Sequence, residues 1–318
     1  MNSSSQIVCF GELLIDMISA NNGSLVQSQG FLKKFGGAPA NTAVGLAKLD
    51  VPVSFIGKVG NDPFGIFLKQ TLDDNKVDTT RLILSNSEKT TLAFVSLTKT
   101  GGRDFFFYKG AHETISPQEV NLPNNTFLFH FGSLTQTNET AKRATEKLLI
   151  QARKKKAIVS YDPNIREHLW GDLDRARNVV LETVKKVDIL KLNKEEALFL
   201  AKAKTLDEAA KKLFTNNLDA LFITLGKDGC YFKTKNDQGF IKTDLKVKAI
   251  DTTGAGDAFN AGYIYSLYKT REKPSRMSKG EMLSMLKLAN NIAALTTTRK
   301  GAIDAFPDKE NISSLTNT

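Results

Sequence analysis

The sequence of 318 residues contains no apolar run of the roughly 20 residues that a membrane-spanning helix needs. Its first residues, MNSSSQIVCFGE, lack the basic segment and the apolar core of a secretory signal. Only two cysteines occur, Cys9 and Cys230, and both lie in apolar runs typical of strands. Buried thiols are typical of proteins in a reducing compartment. We therefore expect a cytoplasmic protein that does not bind a membrane.

Several motifs of metal and nucleotide sites are also missing. The three histidines, His112, His130 and His168, are too dispersed to indicate a metal site. The phosphate loop GxxxxGK[ST] of Walker-type ATPases is absent. No complete GxGxxG follows the first predicted strand, so a nicotinamide-binding Rossmann domain is only weakly supported.

Acidic residues are fewer than basic ones, and the formal net charge is +10. Such a balance can indicate nucleic acid, an anionic membrane surface or acidic substrates. The lysines are spread along the chain, however, and the densest basic run, residues 153–156, lies at the end of a predicted helix, just before a strand. Cations at a helix C-terminus complement its dipole. Since no RNA-binding or zinc-finger signature accompanies the charge, we expect no specific nucleic-acid partner.

Predicted strands alternate with predicted helices over most of the chain, which is long enough for one large α/β domain or two ordinary ones. The first elements are a strand over residues 7–15, a helix over 39–49 with a proline in its first turn, and a strand over 53–60. This alternation predicts an α/β protein with a mostly parallel sheet covered on both faces by helices.

Two intervals, residues 16–35 and 90–112, break the alternation because they have the composition of strands without helices. Within the second interval, TKTGGRD is typical of a hairpin turn. We interpret the two intervals as a small β-layer that projects from the main sheet. Such a layer exposes strand edges and an apolar face unless it is paired, so we expect a homodimer formed through it.

Polar residues follow five of the predicted strands. In open parallel sheets, ligands bind outside the carboxyl ends of the strands. Asp and Asn are ordinary turn formers, so one such residue means little, but five strand ends favour a shared cleft. The residues concerned are Asp16, Asp162, Asn193, Thr224 and Asp251.

The stretch DTTGAGDAFNAG, residues 251–262, is a turn of small residues that leads into a helix. Small residues let backbone N–H groups approach a ligand, and a helix N-terminus adds about half a positive charge, which makes an anion site. The alternative is a glycine-rich cap in which Asp257 only stabilises the helix dipole. Phosphoryl transfer to an alcohol needs both an anion site and a carboxylate that accepts the hydroxyl proton.

Two stretches resemble the signatures of the ribokinase-type (PfkB) carbohydrate kinases. They are GGAPANTAVGLAKLDVPVSFIGKVGNDPFG, residues 36–65, and DTTGAGDAFNAG. GELLIDM, DPNIREHLW, NKEE, TLGKDG and TRKGA extend the resemblance over essentially the whole chain. It implies a single ribokinase-like domain over residues 1–318, with a three-layer fold, a mostly parallel sheet and a small β-sheet lid formed by the two intervals above.

GGAPAN and DPNIREHLW are most similar to fructokinases within this family. The resemblance therefore implies a kinase that transfers the γ-phosphate of ATP to the primary 6-hydroxyl of D-fructose. A 2-keto-3-deoxygluconate kinase, or another sugar kinase of the family, is the alternative. A sugar or nucleotide sensor that has lost catalysis is an alternative of a different class.

The resemblance also implies roles for individual residues. Asp257 would be the general base, Arg166 would reach the transferring phosphate or the sugar, and an anion hole would come from Gly254, Ala255 and Gly256. Contacts to the sugar, or support of the loops that make them, would come from Asp16, Gly36, Gly37, Asn41, Arg103, Phe105, Phe107, Asp162 and Asn164. At least one of the two phenylalanine rings would instead pack in the lid or the dimer.

ATP and Mg²⁺ complete the implied site. Asn193 and Glu196 would organise Mg²⁺, with Glu196 acting through water, although Glu196 could also be a plain helix-start acid. The nucleotide would be lined by Thr224, Gly226, Gly229 and Asn290. The residues that match a K⁺ site are Asp251, Thr253, Thr296, Arg299 and Gly301. Many relatives carry a hydroxyl residue near position 305, where this chain has Ala305, and this leaves K⁺ binding open.

Overall fold

The computed structural model describes residues 5–97 and 103–316, and the side chains of these residues except 97, 103 and 313–316. Its strands are β1 Gln6–Phe10, β2 Leu14–Ser19, β3 Phe31–Gly36, β4 Val53–Gly60, β5 Leu82–Ser85, β6 Leu92–Leu97, β7 Arg103–Tyr108, β8 Thr126–Phe131, β9 Ile158–Tyr161, β10 Ile189–Asn193, β11 Ala220–Thr224, β12 Cys230–Thr234 and β13 Gln238–Ile241. Its α-helices are α1 Ala38–Lys48, α2 Pro63–Asp74, α3 Glu139–Lys154, α4 Glu167–Trp170, α5 Leu173–Val184, α6 Lys194–Ala201, α7 Leu206–Leu213, α8 Ala255–Thr270, α9 Lys279–Thr296 and α10 Lys309–Thr316.

Nine strands form the main sheet, in the order β13-β12-β11-β10-β9-β8-β1-β4-β5. The pairs from β11 to β5 are parallel, and β12 and β13 add two antiparallel strands at one edge. Side chains alternate between the faces of the sheet: Ile7 and Cys9 pack into one buried cluster, and Val8 and Phe10 into the other.

Helices cover both faces of this sheet. Buried residues of α1, α2, α8 and α9 belong to one cluster, and those of α3, α5, α6 and α7 belong to the other. The predicted three-layer α/β architecture is therefore confirmed. No helix in the described residues is long and apolar enough to cross a bilayer.

Two predicted strands of the main sheet are wrong. Residues 7–15 form β1 and β2, which belong to different sheets, so Asp16 lies within β2 and follows no strand of the main sheet. Residues 245–250, the strand predicted before Asp251, form no strand, although their exposure alternates over residues 245–248. Alternating exposure indicates an extended chain, but an extended chain forms a strand only when it hydrogen-bonds to a neighbouring strand. Asp162, Asn193 and Thr224 do lie at the carboxyl ends of β9, β10 and β11.

The small sheet contains β3, β2, β6 and β7 in that order. The described residues thus hold the predicted β-layer, with strands that begin at Leu14 and end at Tyr108. Strands β6 and β7 are antiparallel partners, as the predicted hairpin requires, while residues 98–102 of its turn lie outside the described residues. The assignment of residues 1–318 to a single domain stays a prediction.

The side chain of Asp62 links helix α2 to the segment that leads into the small sheet. It is the N-cap of α2, and its Oδ1 accepts hydrogen bonds from the amides of Phe64 and Gly65. The same carboxylate accepts bonds from the amide and the hydroxyl of Thr90, two residues before β6, at 2.8 and 2.7 Å. One side chain therefore caps a helix and fixes the chain as it enters the small sheet.

We predict that Asp62→Ala lowers the free energy of unfolding by about 2–4 kcal/mol, because N-cap removal typically costs about 1 kcal/mol and each of the two Thr90 hydrogen bonds adds about 0.5–1.5 kcal/mol. Asp172→Ala is the matched control, since the Asp172 carboxylate caps α5 through the Arg175 amide alone. Urea unfolding measures both variants. An Asp62→Ala loss no larger than that of Asp172→Ala would contradict the dual role.

Candidate active site

Helix α8 begins at a group of backbone amides in a turn of small residues. Gly254, its N-cap, has a φ of 79°, a left-handed conformation that favours glycine. The Ala255 amide donates to the Thr252 carbonyl at 3.2 Å. Among the described residues, the amides of Gly254, Gly256 and Asp257 have no hydrogen-bond acceptor. With the helix dipole, three open N–H groups make this end of α8 suitable for an anion.

Asp257, in the first turn of α8, is buried, and its Oδ2 accepts a hydrogen bond from Nδ2 of Asn41 at 2.8 Å. Burial raises the pKa of Asp257 to about 7, against the opposing effect of the Asn41 bond. Asn41 lies in α1, where its amide bonds the Gly37 carbonyl. The two stretches that the sequence singles out, residues 36–65 and 251–262, therefore meet in one hydrogen bond. A carboxyl with such a pKa is suited to accept a proton near neutral pH.

A cavity of about 150 Å³ opens beside Asp257. Ten of the predicted site residues line it: Asp16, Gly37, Asn41, Phe105, Phe107, Asn164, Arg166, Thr253, Gly254 and Asp257. They come from the small sheet, the start of α1, the loop after β9 and the start of α8. The cavity thus combines a carboxylate, open amides and two aromatic rings.

Glu12 is a further carboxylate of this cavity that the sequence analysis missed. It is buried, and its Oε1 accepts the Ala38 amide at 3.0 Å, at the start of α1. Its Oε2 has no partner among the described residues. Burial raises the pKa of Glu12 to about 7. An acid within the apolar run CFGELLI was the available signal, because an acid is rarely buried without a role.

Asp16 points toward the same cavity from β2, and burial raises its pKa to about 7. The exposed Arg166 opposes this effect, and it also lowers the pKa values of Glu12 and Asp257. A single guanidinium is thus within electrostatic reach of three carboxyls. Gly36 leaves room for Asp16, because a Cβ at position 36 would lie 2.4 Å from the Asp16 Oδ2 and would force that side chain to move.

The small sheet contributes an aromatic wall. The rings of Phe105 and Phe107 are stacked with centroids 6.0 Å apart, and both line the cavity. Phe105 also contacts the ring of His168 at 4.1 Å, and Phe107 meets the buried His112 edge-on. For Arg103, the structure describes the backbone at the start of β7, and the predicted side-chain contact lies outside the described residues.

Below the open amides lies a buried polar network. Asp162 Oδ2 accepts from Lys191 Nζ at 2.8 Å and from Asn260 Nδ2 at 2.7 Å. Burial lowers the pKa of Lys191, but Asp162 and Glu196 raise it above its ordinary value, so the ammonium stays charged. A Cβ on Gly256 would lie 3.0 Å from the Lys191 Nζ. The sequence analysis missed this cation, although a lysine in the buried strand DILKLN was a signal.

Glu196 connects the loop after β9 to α6. Its Oε1 accepts the Ile165 amide at 2.6 Å, and its Oε2 accepts the Asn193 amide at 2.9 Å. The Glu196 amide in turn donates to the Asn193 Oδ1 at 2.8 Å. Burial and the nearby Asp162 raise the pKa of Glu196. Since Glu196 is buried and binds a second loop, it is more than the exposed helix-start acid that the sequence also allowed.

The residues predicted for the nucleotide lie apart from the cavity. Asn290 Nδ2 donates to the Ile241 carbonyl at 3.3 Å, and a Cβ on Gly229 would lie 2.0 Å from that same oxygen. Thr224, at the end of β11, donates to the Leu192 carbonyl. Gly226 follows it with a φ of 60°. Thr224 and Gly226 thus lie at the end of β11, while Asn290 and Gly229 both lie against Ile241 of β13.

The residues predicted for K⁺ join two loops. The Asp251 carboxylate accepts the amide and hydroxyl of Thr253 on Oδ1 and the Gly301 amide, at 2.9 Å, on Oδ2. The Thr296 hydroxyl donates to the Ile292 carbonyl, and Arg299 lies on the segment between Thr296 and Gly301. In the part of the chain that the structure describes, no three His, Cys, Asp or Glu side chains form a metal cluster.

Comparison with known proteins gives consistent relatives. "Probable fructokinase-2" of Arabidopsis thaliana is 40% identical over 310 residues, covering 95% of this chain and 92% of that protein. The structure of a fructokinase double mutant from Vibrio cholerae O395 with fructose, ADP and potassium ion bound superposes with a TM-score of 0.88 at 31% identity, covering 99% of both chains. Fructokinase from Xylella fastidiosa with bound ATP gives a TM-score of 0.90 at 30% identity, covering 98% of both.

The family comparison covers nearly the whole sequence. Residues 4–309 match the pfkB family carbohydrate kinases. Both stretches that meet at Asp257 and Asn41 lie inside the matched region, as do the cavity and the small sheet. The chain therefore belongs to the pfkB family of carbohydrate kinases.

Proposed function

We propose that the protein transfers the γ-phosphate of ATP to the 6-hydroxyl of D-fructose, with Asp257 as the general base. One observation carries the proposal: the Asp257 carboxyl, its pKa raised to about 7, faces a polar cavity from a helix start whose amides are open. The names of the relatives support the sugar, since they include fructokinases with fructose or ATP bound.

In this mechanism, the sugar occupies the cavity, and its hydroxyls meet Asp16, Asn41 and the backbone around Gly36 and Gly37. Ionised Asp257 removes the proton from the attacking hydroxyl, an effect worth about 10²–10⁴-fold. The open amides donate hydrogen bonds to the transferring phosphoryl group and stabilise the negative charge that develops on it. Each such donor lowers the free energy of the transition state by about 2.7–4 kcal/mol. The rings of Phe105 and Phe107 exclude water from the sugar.

Two cations of the chain assist the phosphate. Lys191 lies below Gly256 and is held by Asp162, so its charge adds to that of the helix terminus. Arg166 is exposed at the rim and is free to follow the phosphate between its donor and acceptor. Asn164, with a φ of 46°, shapes the turn that places Arg166.

ATP also needs a divalent cation, which would be Mg²⁺. The available donors fit this ion: the buried Oδ1 of Asp162 has no partner among the described residues, and Glu196 adds a second carboxylate. Because no three His, Cys, Asp or Glu side chains among the described residues are placed to hold a metal ion, the ion would be held by water and phosphate oxygens beside Asn193 and Glu196. Bound there, Mg²⁺ would neutralise phosphate charge.

A monovalent cation is part of the same proposal. The relative from Vibrio cholerae has a potassium ion bound. Here the Asp251 carboxylate ties Thr253 to Gly301, next to the amides at the start of α8. A K⁺ ion among the backbone carbonyls of this linkage would strengthen the positive end of the helix. Ala305, where many family members carry a hydroxyl, is buried and offers no side-chain ligand.

Alternative substrates are less well supported. 2-Keto-3-deoxygluconate is itself a carboxylate, and the cavity already contains the acids Glu12, Asp16 and Asp257 against one guanidinium. Like charges held in one site repel each other, so a neutral sugar fits better. A sensor without catalysis is also disfavoured, since the base and the anion site are both intact.

We expect the kcat/KM for D-fructose to exceed the values for D-ribose and 2-keto-3-deoxygluconate by at least about tenfold. A sugar that fits the cavity less well leaves polar groups of the cavity without hydrogen-bond partners. ADP release measures the sugar panel, and ³¹P NMR identifies the product. Equal or faster turnover of either competitor would overturn the choice of sugar. Phosphate on the 1-hydroxyl would overturn the choice of hydroxyl.

Asp257→Asn should lower kcat by about 10²–10⁴-fold and leave the Kd for fructose within a few-fold, because it removes the base and keeps the shape. Since the base must be ionised, wild-type kcat/KM should fall as the pH drops below about 7. The Asn41 bond lowers the pKa of Asp257, so Asn41→Ala should move this acid limb to higher pH.

Asn138→Ala serves as the control for the pH profile, because Asn138 caps α3 through the Thr140 amide alone and does not line the cavity. An Asp257→Asn enzyme within tenfold of wild-type turnover would end the assignment of the base. An acid limb that stays in place in Asn41→Ala would show that another group controls it.

The small sheet also supports the predicted homodimer. Five of its large apolar side chains are exposed: Ile18, Phe31, Leu32, Phe106 and Tyr108. Patches of this kind mark contact surfaces, and pairing of two small sheets would cover them.

A cytoplasmic location also stays a prediction, and the free, buried Cys9 and Cys230 agree with a reducing compartment.

Phe106→Glu should convert the dimer to a monomer, because it places a charge in the paired apolar surface. Phe240→Glu is the matched control, since Phe240 is similarly exposed but lies in β13 of the main sheet. Light scattering coupled to size exclusion gives the masses. A monomeric wild type, or a dimer that survives Phe106→Glu, would contradict pairing through the small sheet.

A further inference from the structure

A second cavity, of about 360 Å³, lies at the other end of α8 from Asp257. Its floor includes Thr126 and Ile158, the first residues of β8 and β9, so it opens at the amino ends of the strands. Helix α8 has 16 residues and is roughly 24 Å long at 1.5 Å per residue. The second cavity is therefore separate from the candidate active site.

The lining of this cavity is strongly basic. It contains Lys156, Arg271, Lys273 and Arg276, and no Asp or Glu side chain. Within the described residues, none of these four cations lies within 4.0 Å of a carboxylate oxygen. Asp219 is in electrostatic reach of Lys273, but it is not part of the lining.

Helix dipoles explain only part of this charge. Helix α3 ends at Lys154, two residues before Lys156, and α8 ends at Thr270, next to Arg271. Each helix C-terminus carries about half a negative charge, so two of them offset about one cation of the four. About three positive charges remain in a concave site, and they repel one another unless an anion is bound.

The side chain of one of the four cations, Arg271, is held in place by its neighbours. The Arg271 guanidinium lies 3.8 Å from the ring centroid of Tyr268 and 5.0 Å from that of Phe127, and it donates to the Ser5 hydroxyl at 2.9 Å. Arg271 and Lys156 both have left-handed backbones, with φ of 59° and 56°. Glycine is the usual residue at such helix ends, so a long cationic side chain at both positions has a cost in the backbone.

We propose that this second cavity binds a small anion that carries two or more phosphate groups. The volume is within the usual range for small-ligand pockets. The guanidinium of Arg271 provides paired N–H donors for a phosphate, and the flexible side chains of Lys156 and Lys273 add positive point charges. The cavity is concave and short, whereas a duplex requires a basic stripe along a face or helix, which favours a small anion over nucleic acid.

Inorganic triphosphate is the probe for this site, and calorimetry on the full chain at low salt measures its binding. The double variant Lys273→Ala/Arg276→Ala should weaken the binding of triphosphate to the second cavity at least about tenfold, because it removes two of the four positive charges. Lys204→Ala/Arg143→Ala is the control with the same change in net charge at exposed positions on α3 and before α7. The control should bind triphosphate like the wild type.

Triphosphate also binds wherever the phosphates of ATP bind, so the variant pair assigns the site. The KM for ATP should be unchanged in Lys273→Ala/Arg276→Ala, which shows that the enzyme is folded. Absence of any event sensitive to this variant would overturn the proposal, as would an equal loss in the control. Duplex DNA that binds more tightly than triphosphate, through the same residues, would identify a nucleic-acid surface instead.

Discussion

The hydrogen bond between Asn41 and Asp257 is the interaction on which the candidate active site depends. It joins α1 to the start of α8, from parts of the chain separated by 216 positions. The contact places a carboxylate beside three open amides, so a proton acceptor and an anion site share one helix start. Gly254 suits this helix start, because its backbone is left-handed, a conformation that favours glycine.

The cost of this arrangement is the burial of acids. Glu12, Asp16 and Asp257 each have a pKa raised to about 7 by burial. Because the folded state then binds more protons than the unfolded chain between about pH 4 and 7, these groups reduce stability as the pH rises through that window. Lys191 and Arg166 offset part of the cost for Asp257. Such destabilising acids are expected at a functional site.

The sequence predicts the layers of the fold well, because strand and helix periods are local properties. It fails where the neighbouring strand decides the structure: residues 7–15 divide between two sheets, and residues 245–250 join no strand that the structure describes. Motif residues such as Asp257 and Asn41 are found from their pattern. Glu12 and Lys191 are missed because their roles come from tertiary neighbours, Ala38 and Asp162, that no local spacing reveals.

The proposed mechanism depends on the pKa of Asp257, which burial at the start of α8 raises so that the carboxylate can accept a proton near neutral pH. A carboxyl-selective ¹³C NMR titration tests it directly, with the Asp257 signal assigned by its loss in Asp257→Asn. The account predicts a titration near pH 7 in the free enzyme. A midpoint close to 4, the value of an ordinary exposed aspartate, would contradict it.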